Sequence, residues 1–274
     1  MVRLKDIPET MLWTLYNRAA EALRRDGVIR DEKAIEIYKS IDYNYEQNFG
    51  KAEPSHALRS LVFDNEVRVF IEKYPEGVIV NLGEGLETQR FRIKDSKALW
   101  LSIDVPEAIE IREKFIRPDS SHIHLPVSAL DRSWFDSVPR GRPVFITAQG
   151  LFMYFEEKDV KSLMQDIFNR FKVCCLMFDT IPEWLSKKTM SEKGWKKTES
   201  YTTPQMPWGF NRGKIGSIFK NWLTEDVEIT DMGYPVFPRG ITRWLFFLFS
   251  STPVLKNVTP SIIKICLPAG KPHS

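Results

Sequence analysis

From residue 78 onward, short apolar runs alternate with segments of helical period, and this alternation constrains the chain more than any other feature. Val78 to Leu82 reads as a buried strand that runs straight into glycines. Ala98 to Ile103 reads as a second strand ended by Asp104, and His122 to Val127 as a weaker third. Val144 to Ala148 is a strong fourth, and Val173 to Phe178 a fifth, closed by Asp179. Between them, 107–117 carries Ala108, Ile111 and Phe115 at helical spacing, and 157–171 carries Val160, Leu163, Met164, Ile167, Phe168 and Phe171. Parallel strands need crossover helices of this kind, wound right-handed. The predicted class is therefore α/β, with a doubly wound, mostly parallel sheet. Val227 to Ile229 and Ile262 to Cys266 are read as late strands of the same sheet.

The remainder is assigned to a lid and a cap. Leu12, Leu15, Tyr16, Ala19 and Leu23 fall on one helical face near the start. A helix over 60–74 carries Phe63, Val67, Phe70, Ile71 and Tyr74 and ends at Pro75 and Gly77. Residues 186–224 lose the regular pattern and are read as a cap or insertion whose five lysines between 187 and 197 form a solvated face. The expected organisation is one domain over 1–274. It comprises an N-terminal helical lid (1–57), a core (58–185 and 225–274) and the cap (186–224).

Composition excludes several classes. A net charge of +3 is too weak a field to imply a nucleic-acid partner. Three cysteines, Cys174, Cys175 and Cys266, make no disulfide framework and are read as small buried hydrophobes in a reducing, cytoplasmic compartment. Met1 to Thr10 lacks the apolar stretch of a secretory signal. The longest apolar stretch, Trp244 to Phe249, is far short of the ~20 residues of a membrane span, so no membrane partner is expected. Whether the chain pairs as a homodimer is left open.

The chemistry concentrates after the first strand, at Gly83-Glu84-Gly85. Glycines there let a ligand approach the carboxyl end of the strand. Asp104 follows about twenty residues later at the end of the next strand, the place of an acid that accepts from ribose hydroxyls. The bland alternative is two turn glycines and a helix-capping aspartate before Pro106. A dinucleotide site normally has a third glycine, where this chain has Thr88. Glu84 and Glu87 also place negative charge at the turn, which repels phosphate. S-adenosyl-L-methionine carries no phosphate and two cationic groups, so it is favoured over NAD.

These residues also carry a family resemblance. Val80 to Arg90 and Ile103 to Arg112 resemble the first two motifs of the leucine carboxyl methyltransferase family. Ser128 to Trp134 and Ile146 to Tyr154 are most similar to its branch of tetracenomycin-type polyketide O-methyltransferases, and Ala57 to Asp64 and Phe178 to Trp184 are similar too. The resemblance implies a Rossmann-like methyltransferase sheet and S-adenosyl-L-methionine as cofactor. It implies that Arg59 holds the methionyl carboxylate, where a guanidinium fork fits. Gly83 and Gly85 would lie against the cofactor, Asp104 on the ribose, and Leu130 and Asp131 beside the adenine. Gln149 stands where the wider family has glutamate; an amide still hydrogen-bonds but offsets no sulfonium charge.

The expected activity is O-methyl transfer to a hydroxyl or carboxylate of a small, aromatic or polyketide-like molecule. Such an in-line displacement needs positioning more than a nucleophile or a metal. Weak candidates for a base are Tyr154 and His124, with His122 and His56 further back; each is as readily structural. Tyr201 to Phe210 is expected to shape an apolar acceptor pocket. A catalytically silent cofactor-binding protein, a protein carboxyl methyltransferase and a nicotinamide dehydrogenase are the competing readings.

Overall fold

The computed structural model describes residues 6–93, 97–223, 227–235, 237–239 and 252–267. Helices α1 (Asp6–Ala22), α2 (Glu32–Ser40), α3 (Tyr45–Phe49) and α4 (Ser55–Lys73) precede strand β1 (Val78–Leu82). There follow α5 (Gln89–Arg92), β2 (Leu99–Asp104), α6 (Pro106–Glu113), β3 (His122–Pro126), β4 (Val144–Ala148), α7 (Glu157–Arg170), β5 (Cys174–Thr180) and α8 (Glu183–Thr189). Helix α9 (Ile215–Trp222), β6 (Glu228–Asp231) and β7 (Ser261–Cys266) complete the order, with a short helix Pro253–Asn257 before β7.

The strands form one sheet of seven, in the order β3-β2-β1-β4-β5-β7-β6. The first five pair in parallel, and β7 runs antiparallel between β5 and β6. Both faces are covered, and the residues alternate accordingly. Ile79, Trp100, Phe145 and Met177 pack beneath α4 against Phe63, Val67 and Phe70. Val80, Leu101, Ile146 and Leu176 face the other way, onto Val160, Leu163, Met164 and Ile167 of α7. The chain order reverses between β1 and β4, so a crevice opens beyond their carboxyl ends.

Helices α1 to α3 cover that crevice through an apolar cluster of their own, in which Leu12, Leu15, Ala19, Ile37 and Phe49 meet Leu86 and Ile111. Beneath it lies a buried network of ions. Asp31 caps α2 by accepting from the Ala34 N–H at 2.9 Å, and it also accepts from Thr88 Oγ1 at 2.6 Å and Arg92 Nη1 at 2.7 Å. Arg18 of α1 donates to the Leu86 carbonyl at 2.7 Å and pairs with Glu87 at 3.2 Å. Arg92 also forks onto Asp64 of α4 at 2.7 and 2.9 Å and reaches Glu87 at 2.6 Å. Burial acts to raise the Glu87 carboxyl, but Arg18 and Arg92 outweigh it and hold the group well below the usual carboxylate range.

Several expectations are corrected. Between the glycines and β2 the chain forms a one-turn helix, α5, preceded by the buried Leu86, Glu87 and Thr88. Helix α4 begins at Ser55, and α6 ends at Glu113. Leu23 lies past the end of α1 and is exposed. Cys175 and Cys266 are not separate thiols: they stand opposite each other on β5 and β7 and are disulfide-bonded. They lie 91 residues apart in sequence, and only the strand register brings them together. Cys174 faces the other way as a buried thiol, whose ionisation burial pushes up. No described helix is long and apolar enough to cross a membrane, and Trp244 to Phe249 lie outside the described residues.

Asp31→Ala removes one carboxylate from under two guanidinium groups. It should destabilise the chain by about 3–5 kcal/mol, the cost of leaving a buried ion unpaired. Chemical denaturation checks this, and a loss below about 1 kcal/mol would show that the network does not hold the lid.

Candidate active site

The crevice at the ends of β1 and β4 is lined from four directions. The glycine turn supplies Gly83, Glu84 and Gly85; β2 supplies Asp104; the β4 end supplies Gln149 and Gly150; and α1 supplies Thr10, Met11, Thr14 and Arg18 from above. Arg59 of α4 closes the side next to Gly150.

The turn adopts backbone angles that favour glycine, with φ of 62° at Gly83 and 51° at Gly85. Space forbids a side chain as well: a Cβ on Gly83 would lie 2.6 Å from Leu151 Cδ1, and one on Gly85 2.9 Å from Met11 Cβ. Asp104 locks the turn to β2, accepting from the Gly85 N–H through Oδ2 and from the Val105 N–H through Oδ1, both at 2.8 Å. Burial raises its carboxyl above the usual range, against the pull of these two donors and of Arg112. Each oxygen keeps acceptor capacity beyond its one backbone donor.

Arg59 is buried, and its Nη1 donates to Asp179 Oδ2 at 2.9 Å. A surface pair with Asp64 or Glu66 does not form, because Arg92 and Gln89 claim Asp64, and Lys264 claims Glu66 at 2.6 Å. Arg59 also lines the crevice, and among the described residues its Nε has no hydrogen-bond partner. Gln149 also lines the space, and its buried Oε1 has none among them either. Two buried polar atoms without partners mark places where a polar ligand fits. Below them, Thr147 Oγ1 donates to Asn81 Oδ1 at 2.8 Å, and Asn81 Nδ2 donates to Glu84 Oε1 at 2.9 Å. Burial raises the Glu84 carboxyl, opposed by Arg112 at 3.1 Å.

The charge of the turn is therefore balanced. Glu87 is met by Arg18 and Arg92, and Glu84 by Arg112, so the two acids do not form the open negative patch expected from sequence. The structure brings Arg59, Gly83, Gly85, Asp104 and Gln149 to one space. It leaves Leu130 and Asp131 outside the lining: Leu130 packs at the edge of the main core, and exposed Asp131 caps the turn Arg132–Ser137 by accepting from the Ser133 N–H at 2.8 Å. Arg18, Asn81 and Thr147 were not anticipated. Arg18 had a visible signal, since it breaks the apolar face of Leu15 and Ala19 with a charge that must find partners.

The base candidates stand elsewhere. His124 accepts from Arg112 Nε at 3.3 Å and lies 3.2 Å from Glu113 on β3, with its protonation disfavoured first by burial and then by Arg112. His122 meets Ser102 Oγ at 2.7 Å, and burial pushes it down to about 3. His56 meets Asn17 Nδ2 at 2.8 Å, and burial keeps it neutral at ordinary pH. Tyr154 packs with Met153, Ile181, Leu185 and Met206, beside Thr10, and burial pushes its hydroxyl up to about 12. The aromatic segment from Tyr201 to Phe210 is core rather than an acceptor wall. Trp208 and Phe210 stack among Phe178, Phe219 and Trp222, and Tyr201 packs on Phe49. None of these lines the crevice.

Residues 12–168 match the model of a family described as leucine carboxyl methyltransferase. The chain is 27% identical over 186 residues to the tetracenomycin polyketide synthesis O-methyltransferase TcmP of Streptomyces glaucescens, covering 67% of this chain and 69% of that protein. It is 27% identical over 189 residues to the S-adenosyl-L-methionine-dependent methyltransferase dpfgK of Gibberella zeae, covering 62% and 63%. Among solved structures, the plantazolicin methyltransferase BamL, in complex with a substrate analog and SAH, superposes with a TM-score of 0.51 at 12% identity, over 96% of this chain and 99% of that one. The small RNA methyltransferase HEN1 reaches the same TM-score at 12% identity over 77% of this chain, but over only 25% of its own. At such identities, the structural likeness bears on the fold alone.

Asp104→Ala should weaken binding of S-adenosylhomocysteine by about 1–3 kcal/mol, the cost of lost hydrogen bonds and a loosened turn. Titration calorimetry measures it, and unchanged affinity would remove Asp104 from the cofactor site.

Proposed function

Because the chain belongs to the leucine carboxyl methyltransferase family and is an S-adenosyl-L-methionine-dependent methyltransferase, we propose that it methylates a hydroxyl or carboxylate oxygen of a small, aromatic or polyketide-like molecule. The observation that carries this reading is the crevice itself. Gly83, Gly85, Asp104, Arg59 and Gln149 surround one space with hydrogen-bonding capacity to spare, and helix α1 roofs it. Bound there, the cofactor supplies a methyl group activated by its sulfonium. Asp104 would accept from the ribose hydroxyls, Arg59 would pair with the carboxylate, and Gln149 Oε1 would accept from the ammonium. Leu130 and Asp131 remain the proposal for the adenine edge on the strength of the motif resemblance alone. Thr10, Met11 and Thr14 cover the space against water, which favours displacement at carbon and keeps the reactants aligned.

The acceptor oxygen must arrive already ionised. Each carboxylate lining the crevice holds at least one fixed partner: Asp104 two backbone N–H groups, Glu84 Asn81 and Arg112 through Oε1, and Glu87 Arg18 and Arg92, while Glu84 Oε2 has none among the described residues. The histidines lie outside it, and Tyr154 stays protonated at neutral pH. A carboxylate or an acidified phenol meets this requirement, whereas an ordinary phenol with a pKa near 10 does so poorly. The name of the relative TcmP, an O-methyltransferase of polyketide synthesis, supports the same class.

With radiolabelled cofactor and a panel of aromatic carboxylic acids and phenols, label should enter an oxygen of the acidic members. The rate should hold level from about pH 6.5 to 9, as this reading gives no protein base a role, and His124→Ala should stay within about threefold of the parent. A limb near pH 6.5 that His124→Ala abolishes, or label confined to nitrogen or sulfur, would refute the reading.

A further inference from the structure

Arg59 reaches the crevice from the middle of α4, a long side chain that carries three or four rotatable bonds into an otherwise built site. What holds its head in place is a residue on a different element. Asp179, at the end of β5, is buried and uses both oxygens. Oδ2 accepts from Arg59 Nη1 at 2.9 Å, and Oδ1 accepts from the Gly150 N–H at 2.5 Å. Gly150 in turn takes a φ of 64°, and a Cβ there would lie 2.8 Å from Arg59 Nη1. One edge of the guanidinium is thus pinned between a carboxylate and a bare backbone, with Tyr234 as a further hydrogen-bonding neighbour, while Nε has no partner among the described residues and both Arg59 and Gln149 line the crevice. Tyr234 and Tyr154 are the titratable neighbours of this pair; burial keeps both hydroxyls protonated at neutral pH, so neither competes with Asp179 as an anion.

We propose that Asp179 is a positioning residue, which through Gly150 and the Arg59 guanidinium sets where the amino-acid end of the cofactor is held. This rests on the reading above in which Arg59 pairs with that carboxylate. Arg59 stays charged beside Asp179 in either case, so the aspartate contributes direction rather than charge. It prevents the fork from swinging toward Glu87, the next carboxylate that attracts it. The same aspartate ties the loop that carries Gln149 to the end of β5.

The test compares two probes: S-adenosylhomocysteine, which has the amino-acid end, and 5′-methylthioadenosine, which lacks it. Asp179→Asn keeps the shape but turns a donor toward Arg59. It should weaken S-adenosylhomocysteine roughly ten- to a hundredfold while moving 5′-methylthioadenosine less than about twofold. In an Arg59→Ala background, the same substitution should have no further effect. Gly150→Ala disturbs the guanidinium from the other side and should reproduce the selective loss, which guards against a folding defect in Asp179→Asn. Equal weakening of both probes, or an undiminished effect in the Arg59→Ala background, would overturn the role of Asp179. If Arg59→Ala alone leaves S-adenosylhomocysteine binding unchanged, the assignment of Arg59 fails and the proposal fails with it. A parent chain that binds neither probe would instead contradict the cofactor site as a whole.

Discussion

The ion network under helix α1 is the interaction on which the rest of this structure depends. Arg18, Asp31, Asp64, Glu87 and Arg92 come from five separate segments and meet with almost no solvent around them. Each would be costly to bury alone, and together they satisfy one another. Their geometry joins the lid helices, the glycine turn and α4 into one unit. The turn that faces the crevice is thus held from behind by guanidinium groups, and the helix that roofs the crevice is anchored by the same groups. Apolar packing of Leu15 and Ile37 supplies the bulk of the contact, while the ions make it directional.

A network of this kind is nearly illegible in a single sequence. The central strands were legible because they are runs of apolar residues covered on both faces, as in Val144 to Ala148. Gly83, Gly85 and Asp104 were legible because spacing and strand ends are local facts. The partners of Glu87 were not, since Arg18 is 69 positions before it on another helix and nothing in the intervening residues marks the pairing. The same blindness turned Glu84 and Glu87 into an apparent negative patch and Cys175 and Cys266 into separate thiols. It also made an aromatic segment at Trp208 and Phe210 look like a pocket wall, because sequence shows that side chains are large and apolar but not which surface they cover.

The chemistry follows from what the crevice withholds as much as from what it offers. Polar atoms are plentiful, and each carboxylate there has a fixed partner, with Glu84 Oε2 left without one among the described residues. Such a site is built to hold and align. What the fold fixes there is geometry: glycines whose Cβ would strike Leu151 or Met11, an aspartate tied to two backbone N–H groups, and an arginine paired with Asp179.

The antiparallel strand β7 has a consequence for how the sheet is assembled. It lies between β5 and β6, and among the described residues β6 pairs with no other strand. While residues up to Thr180 emerge during synthesis, β1 to β5 can pair in parallel, but the outer edge of β5 stays bare until residues 261–266 arrive. An apolar, unpaired edge such as Leu176 and Phe178 present is the kind that recruits strands from other chains. The nascent protein therefore passes through an interval, some eighty residues of translation long, in which a nearly complete sheet waits for its last partner. Conditions that lengthen the interval should divert chains to aggregates before any of them reaches a finished fold.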